Sequence, residues 1–363
     1  MTAVLLYLSQ SLHWNGDYVL LQWFLGLSVA FGFLSLKIWE KLHWLPAVSF
    51  FYFAENALYS GFYRYQADHY GQYLSNSSLV CLVCVCALIA FGLSADDWTK
   101  KAVLALLPIY GLLNSIYVIV GAITGHGLLI EGVGFSGFEN YSGMNGVSIA
   151  LSMPFWIKKC KRWWIYFLVC LAALVLSQST ISYGVLGIGL IAYWICDHKN
   201  PLEAFVCVLW IPALMAIFEK KHILNSSHRF QAYKVFLGAW WRNAEHFLGS
   251  GFGTFQVIGP IIQDNTGFMI SPDHHYYWIW MHSDWLQTLF EGGYVGLALM
   301  GGLALHVLYK LYKLKDVKVF SLASGLCAAG VFDFPLRYLS LSLLAVLTVR
   351  VAYEKRSDAY NSY

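Results

Sequence analysis

The sequence predicts an all-α fold, a polytopic bundle of about 12 transmembrane helices with one large loop outside the membrane. Three observations predict it. Of 363 residues, 58% are hydrophobic and only 12% are charged, whereas soluble domains carry roughly a quarter charged residues. Apolar stretches recur along the whole chain, and Lys and Arg collect on one side of them. A chain of this composition therefore needs lipid around it rather than water.

The apolar segments are separated by short polar breaks, and each is read as a helix because a helix satisfies its own backbone hydrogen bonds in lipid. They lie near residues 1–13, 18–36, 44–62, 74–94, 101–121, 145–157, 163–178, 181–196, 202–219, 285–309, 318–333 and 338–353. No Lys or Arg precedes Lys37, and no small-residue cleavage site follows the start AVLLYL. We expect this first segment to stay in the protein as a membrane helix rather than to be removed as a signal peptide.

The basic residues divide unequally between the two sides of this arrangement. Counted loop by loop, 16 of the 23 Lys and Arg residues lie on one side and 7 on the other. Cytoplasmic loops hold the positive excess in membrane proteins, so both termini are predicted to be cytoplasmic. The net charge is only +3 and no basic run tracks a groove, which argues against a nucleic-acid partner.

The side with fewer basic residues, which is the periplasm in a Gram-negative cell, holds the only long polar connection, residues 220–284. A connection of this length inside a compact membrane protein is typical of a lid or a binding element. Its residues suited to proton transfer or anion binding are His222, His228, Arg229, Arg242, His246, His274, His275 and His282. We therefore predict that the functional site lies in this single-domain protein's long loop.

Two groups of residues resemble metal ligands, but their spacing and surroundings favour other roles. A group within the loop comprises Asp273, His274, His275 and His282. It lacks the ordered helical spacing of a zinc-protease motif. A second group, in a continuous apolar run, comprises Cys81, Cys84 and Cys86. Thiols in such a run behave as small hydrophobic side chains, so neither a metal nor another cofactor is predicted.

Residues 282–296 (HSDWLQTLFEGGYVG) mark the return of the loop into the membrane. Asp284 followed by Gln287 predicts a helix N-cap and its reciprocal partner. His282 then lies just outside a helix N-terminus, where unpaired N–H groups and the macrodipole favour an anion. From spacing alone, His282 fits equally well an interfacial histidine that hydrogen-bonds a backbone carbonyl.

Gly292 and Gly296 in this stretch form a GxxxG pair, which lets another helix pack closely against it. The whole stretch resembles the hallmark of the O-antigen ligase and polymerase superfamily. That hallmark is a His-Asn/Ser-x-x-Leu-Gln element followed by a Glu-x-Gly-x-x-Gly helix. The resemblance implies a GT-C-like membrane glycosyltransferase in the inner membrane of a bacterial cell, with His282 as the catalytic base.

Two upstream elements share the order found in that family, which is an Arg, then a Trp, then a glycine turn before the His. Arg229 begins the helix-like run RFQAYKVFLGAWW, and the turn LGSGFGTF follows at residues 248–255. The matching turn positions are Gly249, Gly251, Gly253 and Phe255. By this resemblance Arg229 holds the donor's diphosphate, a role that suits the bidentate fork of a guanidinium. A Rossmann interpretation of the glycines fails because no strand precedes them.

Weaker similarity extends further upstream. The segment GFENYSGMNGVSIAL resembles the family's Gly-Phe-x-Asn loop, with Asn140 and Asn145 as its polar members. The segment SQSTISYG matches a turn where many ligases carry Ser-Arg, but here Thr180 stands in the Arg position, with Gln178 nearby. This departure favours the polymerase or a divergent branch over a strict ligase.

Two other arginines are candidates for a second contact to the diphosphate. Arg337 follows DFP at the periplasmic end of the last helical hairpin, where an ionisable group at the membrane boundary suggests function. A snorkelling anchor is the alternative role for Arg337. Arg242 lies in the long loop and is the other candidate.

The resemblance implies metal-independent, inverting transfer of an undecaprenyl-diphosphate-linked glycan to an acceptor hydroxyl. The acceptor is lipid A core for a ligase, another glycan for a polymerase and a protein for an O-oligosaccharyltransferase. Aromatic residues that would stack on sugars, or line the membrane interface, are Tyr276, Tyr277, Trp278 and Trp280. Glu55 and Asn56 lie inside an apolar run, where polar groups mark either interhelical hydrogen bonds or a transport pathway. A flippase or transporter of the same lipid-linked sugar therefore remains an alternative function. Many transporters contain internal repeats, and none is visible in this sequence.

Overall fold

A computed structural model of the chain describes most residues between 44 and 353. The described residues are 44–60, 78–84, 86–88, 91, 97–125, 129–130, 134–135, 142–157, 161–177, 179–197, 223–243, 246–268, 278, 281–333, 335–337 and 339–353. The predicted segments near residues 1–13, 18–36 and 202–219 lie outside these ranges.

Helices make up nearly all of the described structure, which confirms the predicted all-α class. In chain order they are α1 (Trp44–Tyr59), α2 (Asp97–Thr124), α3 (Ser142–Ser152), α4 (Trp163–Ser177), α5 (Thr180–Asp197), α6 (Ile223–Asn243), α7 (Phe255–Thr266), α8 (Asp284–Leu314), α9 (Val317–Phe332) and α10 (Leu339–Tyr353). Short 3-10 turns, Met153–Trp156 and Pro335–Arg337, follow α3 and α9. The exception is a two-residue antiparallel pair, Leu129–Ile130 with Gly134–Phe135.

Among the described helices, α2 and α8 are long and apolar enough to cross a membrane, judged by length and composition. Helices α4, α9 and α10 are apolar but have 15 or 16 residues, fewer than the roughly 20 of a straight crossing. The structure thus supports membrane-crossing helices at two positions. The arrangement with about 12 crossings stays a prediction.

The first core cluster forms around α3, whose side chains from residue 144 onward are buried. Helices α2, α4, α5 and α9 pack against it. Small side chains permit this close approach: Gly146 faces Ser182, and the Ser321 hydroxyl donates a hydrogen bond to the Gly189 carbonyl at 2.6 Å. Close packing of small residues and interhelical hydrogen bonds hold helices together where lipid removes the hydrophobic driving force.

Helix α8 folds back on itself at Gly293. This glycine has φ 62° and ψ −162°, a conformation open essentially to glycine alone. The Thr288 hydroxyl donates a hydrogen bond to the Met300 sulfur at 3.1 Å, whereas a straight helix would separate the two residues by about 18 Å. Helix α8 therefore consists of a first arm, residues 284–292, and a second arm, residues 294–314, which pack against each other.

The predicted membrane segment near residues 285–309 corresponds to α8, and the bend at Gly293 divides it into the two arms. The second arm alone is roughly 30 Å long at 1.5 Å per residue. That length matches the hydrocarbon core of a bilayer, which is about 30 Å thick. The second arm thus keeps a membrane-crossing length without the first arm.

Helix α1 covers the bend. The rings of Tyr52 and Phe53 lie 3.4 to 3.7 Å from the points where side chains at Gly292 and Gly296 would begin. Tyr52 also donates a hydrogen bond to the Gly292 carbonyl at 2.5 Å. The predicted close packing of another helix on this GxxxG pair is confirmed.

A second core cluster joins α6 and α7 to the first arm, and we call these three elements the cap. Phe255 of α7 packs edge to face against Phe236 of α6, with ring centroids 5.0 Å apart, and against Phe290 of the first arm at 5.2 Å. Phe236 and Phe255 are fully buried. Much of the predicted polar loop is therefore a helical unit with an apolar core of its own.

Candidate active site around His282

The N-cap of α8 is Ser283, so the predicted N-cap role of Asp284 is wrong by one position. The Ser283 side-chain oxygen accepts a hydrogen bond from the Leu286 N–H at 3.3 Å. Asp284 is the first helical residue, and its Oδ2 accepts from the Leu336 N–H at 2.8 Å. Serine and aspartate cap helices about equally well, so the tertiary contact with Leu336 decides which of the two is the cap.

Backbone and side-chain hydrogen bonds fasten the start of α8 to the end of α9. The Asp284 N–H donates to the Asp333 carbonyl at 3.0 Å. The Trp285 indole N–H donates to the Cys327 carbonyl at 3.1 Å. These contacts bring His282, which directly precedes the N-cap, beside Asp333.

The His282 side chain faces a buried carboxylate. Its Nδ1 lies 3.5 Å from Oδ1 of Asp333, and the two side chains are 21% and 0% exposed. This distance is within the limit of about 4 Å for an ion pair when the ring is protonated. The backbone φ of His282 is 50°, a conformation that costs a non-glycine residue about 1–3 kcal/mol and recurs at functional sites. The Trp278 ring packs against the imidazole with centroids 4.7 Å apart.

This geometry assigns different tasks to the two imidazole nitrogens. A carboxylate beside Nδ1 leaves Nε2 of His282 to accept a proton. A positive charge on the ring would lie beside the Asp333 carboxylate. The arrangement suits a general base that removes a proton from a hydroxyl group.

Tyr233 links this pair to Arg229. The Tyr233 hydroxyl donates a hydrogen bond to the His282 carbonyl at 2.6 Å, and Arg229 lies one helical turn earlier on α6. Burial raises the pKa of Tyr233 to about 12, while the charge of Arg229 lowers it and that of Asp333 raises it. Tyr233 therefore stays a neutral donor at ordinary pH. The structure thus places both predicted residues, His282 and Arg229, next to one tyrosine.

A buried polar network supports the backbone that carries His282. Gln287, predicted to be a capping partner, instead accepts a hydrogen bond from the Met281 N–H at 3.2 Å through Oε1. Its Nε2 donates to Oε1 of Glu291 at 2.9 Å, and that oxygen also accepts from the Phe255 N–H at 3.1 Å. Both side chains are fully buried. Glu291 thereby compensates the dipole at the start of α7, and Gln287 holds the residue before His282.

The predicted glycine turn docks into the bend of α8. Its three glycines, Gly249, Gly251 and Gly253, have φ of 74°, 113° and 84°, which confirms the turn. The N–H groups of Ser250 and Gly251 donate to carbonyls of the first arm, and the carbonyls of His246 and Phe247 accept from the first N–H groups of the second arm. At the bend, these N–H and C=O groups of α8 lack partners within the helix, and the turn supplies their hydrogen bonds.

Asn56 of α1 holds the same turn from another side. Its Nδ2 donates to the Leu248 carbonyl at 3.0 Å, and its Oδ1 accepts from the Phe252 N–H at 2.5 Å. Asn56 is buried, whereas Glu55 beside it is exposed. Asn56 thus has the structural hydrogen-bonding role that the sequence left open.

Of the other predicted diphosphate-binding residues, only Arg242 has a described side chain. Arg242 is exposed near the end of α6, about 14 Å along the helix axis from Tyr233. Thr180 begins α5 and Arg337 ends the turn Pro335–Arg337, but their side chains lie outside the described structure. Asn140 and Gln178 lie outside the described residues altogether.

Trp278 belongs to the core, so its predicted role in stacking on sugars or lining the interface is wrong. Its side chain is 7% exposed, and its backbone N–H donates to Oε1 of the buried Gln263 at 2.6 Å. Its ring packs on His282, which limits the imidazole's exposure. The other predicted stacking residues, Tyr276, Tyr277 and Trp280, are not among the described residues.

Within the described part of the chain, no group of three or more His, Cys, Asp and Glu residues lies close enough together to hold a metal ion. The loop residues Asp273, His274 and His275, weighed above as ligands, lie outside that part.

Sequence analysis missed Asp333 and Tyr233. Asp333 stands in the element DFP directly after an apolar run, and Tyr233 follows Arg229 at the i, i+4 spacing of one helix face. Both are visible signals. Neither reveals a contact with His282, because each contact joins segments that are far apart in the chain.

Neither the models of known protein families nor the curated proteins give a match to this chain. The function proposed for it therefore rests on the motifs of its sequence and on the contacts around His282.

Proposed function

We propose that this chain is a multi-pass membrane glycosyltransferase of the O-antigen ligase and polymerase type. It transfers an undecaprenyl-diphosphate-linked glycan to an acceptor hydroxyl at the periplasmic face of the inner membrane. The observation that carries the proposal is the His282 imidazole facing the buried Asp333 carboxylate. The Tyr233 hydroxyl, whose pKa the charge of Arg229 lowers, donates a hydrogen bond to the backbone carbonyl of His282. A base next to a phosphate-binding cation is what this reaction requires.

The distribution of charge supports the periplasmic position. Helices α8 and α9 also meet at the end away from His282, where Leu311 packs in one cluster with Val319. Basic residues at that end are Lys310, Lys313, Lys315 and Lys318. A positive excess marks the cytoplasmic side, which supports a periplasmic position for His282. The count of basic residues over all loops supports cytoplasmic termini.

In the proposed reaction, Nε2 of His282 takes the proton of the acceptor hydroxyl. The acceptor oxygen attacks the anomeric carbon from the face opposite to the diphosphate, and a new carbon–oxygen bond forms. The bond from the anomeric carbon to the diphosphate oxygen breaks, and its electron pair leaves with undecaprenyl diphosphate. This single displacement inverts the anomeric configuration. Asp333 stabilises the imidazolium, and Arg229 stabilises the charge that develops on the diphosphate.

The acceptor hydroxyl belongs to lipid A core, to another glycan or to a protein. Complementation of ligase-null and polymerase-null strains distinguishes a lipid A core acceptor from a glycan acceptor. The measurement is the length of the glycan ladders. Restored attachment to lipid A core assigns a ligase. Restored ladder length assigns a polymerase, and glycan on protein alone assigns an oligosaccharyltransferase.

The test of the catalytic base is a His282→Ala variant that inserts into the membrane at the wild-type level. General base catalysis contributes about 10²–10⁴-fold, so we expect transfer to fall about 100-fold or more. His306→Ala is the matched control, because His306 stacks on Tyr353 at the other end of α8. Wild-type transfer by His282→Ala would show that another group is the base.

A flippase or transporter of the same lipid-linked sugar is the second candidate function. The bend in α8 favours it, because interrupted membrane helices often form the substrate sites of transporters. A transporter moves the lipid-linked sugar across vesicle membranes without an acceptor. A transferase forms product in detergent, where no compartments exist, so product in detergent supports the first proposal and acceptor-independent movement alone supports the second.

A further inference from the structure

Exposed apolar side chains cluster at the bend of α8. This cluster, which we call the interface patch, consists of Trp241, Phe247, Leu248 and Tyr294. Phe247 is 73% exposed and Trp241 is 64% exposed. The rings of Phe247 and Tyr294 lie 6.1 Å apart, and His246 lies between Trp241 and Tyr294 with ring contacts to both. The side chains therefore form one surface rather than isolated exposed residues.

The backbone beneath the interface patch is held in place. The Tyr294 N–H donates to the His246 carbonyl at 2.8 Å, and the Val295 N–H donates to the Phe247 carbonyl at 3.2 Å. Asn56 fixes the next residue, Leu248, through its carbonyl. These hydrogen bonds fix the turn, so Phe247 and Leu248 could become buried only if the bonds to Tyr294, Val295 and Asn56 broke.

The interface patch is continuous with the second arm of α8. Tyr294 is the first residue of that arm, and the exposed apolar side of the arm continues through Leu305, which is 71% exposed, to Tyr309. The opposite end of the arm carries the lysines near residue 313. If the second arm crosses the bilayer, the patch lies where the hydrocarbon core meets the periplasmic headgroups.

The chemistry of the interface patch matches this position. Tryptophan and tyrosine concentrate at the two bilayer–water boundaries. Arg242 directly follows Trp241 and is exposed, so its guanidinium is available for a lipid phosphate.

We propose that the interface patch inserts into the periplasmic lipid–water boundary of the bilayer that the second arm crosses, with Arg242 on a lipid phosphate. The proposal rests on the membrane placement of the second arm in the proposed function. It assigns Arg242 to membrane lipid rather than to the donor's diphosphate. Insertion anchors the cap, whose first arm follows His282 in the chain, to the bilayer.

The test places an environment-sensitive fluorophore at single introduced cysteines in the full chain, reconstituted in phosphatidylcholine–phosphatidylglycerol vesicles. The sites are Phe247→Cys in the patch, Leu305→Cys in the second arm and Asn265→Cys at the exposed end of α7. The unsubstituted chain, labelled in the same way, measures the contribution of the native cysteines. Doxyl groups on the lipid chains, either shallow or deep, quench only the probes that they reach.

We expect shallow doxyl lipid to quench the probe at residue 247 several-fold more than the probe at residue 265, and deep doxyl lipid to quench residue 305 best. Quenching at residue 305 but not at residue 247 would overturn the interface patch and leave the membrane placement standing. No quenching at residue 305 would overturn both the membrane crossing of the second arm and the insertion of the interface patch. Protection of residue 247 from iodide without lipid quenching would show a protein partner or a second copy of the chain instead, which also overturns the proposal.

Discussion

Replacement of Asp333 by Asn removes the negative charge beside His282 and nearly conserves the shape of the side chain. The two groups are 3.5 Å apart. Unit charges at that distance interact by about 5 kcal/mol at an effective dielectric constant of about 20, and by about 1 kcal/mol in bulk water. Because His282 is partly exposed and Asp333 is buried, we expect a loss of about 2–4 kcal/mol in transition-state stabilisation. That loss corresponds to a fall in kcat of roughly 30- to 1000-fold.

The assay is glycan transfer in detergent from an undecaprenyl-diphosphate-linked donor, with kcat and the donor KM measured separately. The KM should change little, because Asp333 acts on the imidazole and not on the donor. Asp316→Asn is the matched control, since Asp316 caps the other end of α9 by accepting from the Val319 N–H at 3.2 Å, and asparagine caps equally well. If Asp333→Asn keeps the wild-type kcat and melting temperature, the carboxylate does not stabilise an imidazolium and the reasoning is refuted.

Three other substitutions test the supports of the site. Arg229→Lys should lower kcat/KM about 10- to 100-fold in the same assay, because lysine cannot form the bidentate fork and a charged hydrogen bond contributes about 1.5–3 kcal/mol. Gln287→Leu should lower the free energy of unfolding by about 2–4 kcal/mol, measured by chemical denaturation, since it leaves the buried Met281 N–H without its acceptor. Gly293→Ala should destabilise the protein by at least about 3 kcal/mol, because a Cβ there would overlap the Phe247 carbonyl; the yield of folded protein in size-exclusion chromatography measures it.

Each of these substitutions has a matched control elsewhere in the described structure. Arg350→Lys lies in the last turn of α10 and should leave transfer unchanged. Gln256→Leu changes a half-buried glutamine of α7 and should cost less than Gln287→Leu. A Cβ at Gly302 meets no atom within 4 Å, so Gly302→Ala should fold normally. A control with the same effect as its partner would contradict the specific contact assigned to that partner.

Several parts of the fold and the site were predictable because they depend on neighbouring residues. The apolar runs predicted helices α2, α4, α5, α9 and α10, and the spacing of Gly249, Gly251 and Gly253 predicted a turn. Asn56 stands out in the sequence because a polar residue in an apolar run needs a hydrogen-bond partner. The N-cap assignment failed by one residue, because Ser283 and Asp284 are equally good caps by local rules.

By itself, the sequence determined the all-α class, the positions of most described helices and the glycine turn. These follow from composition and short spacings, which local physical rules interpret directly. The candidates His282 and Arg229 came instead from the resemblance of the sequence to a known family. Only the tertiary structure decided that α8 folds back at Gly293 and that Asp333 faces His282. Both depend on hydrogen bonds between distant segments, such as that of the Asp284 N–H with the Asp333 carbonyl. A local pattern shows that a residue can make such a bond, but the packing of the whole chain selects its partner.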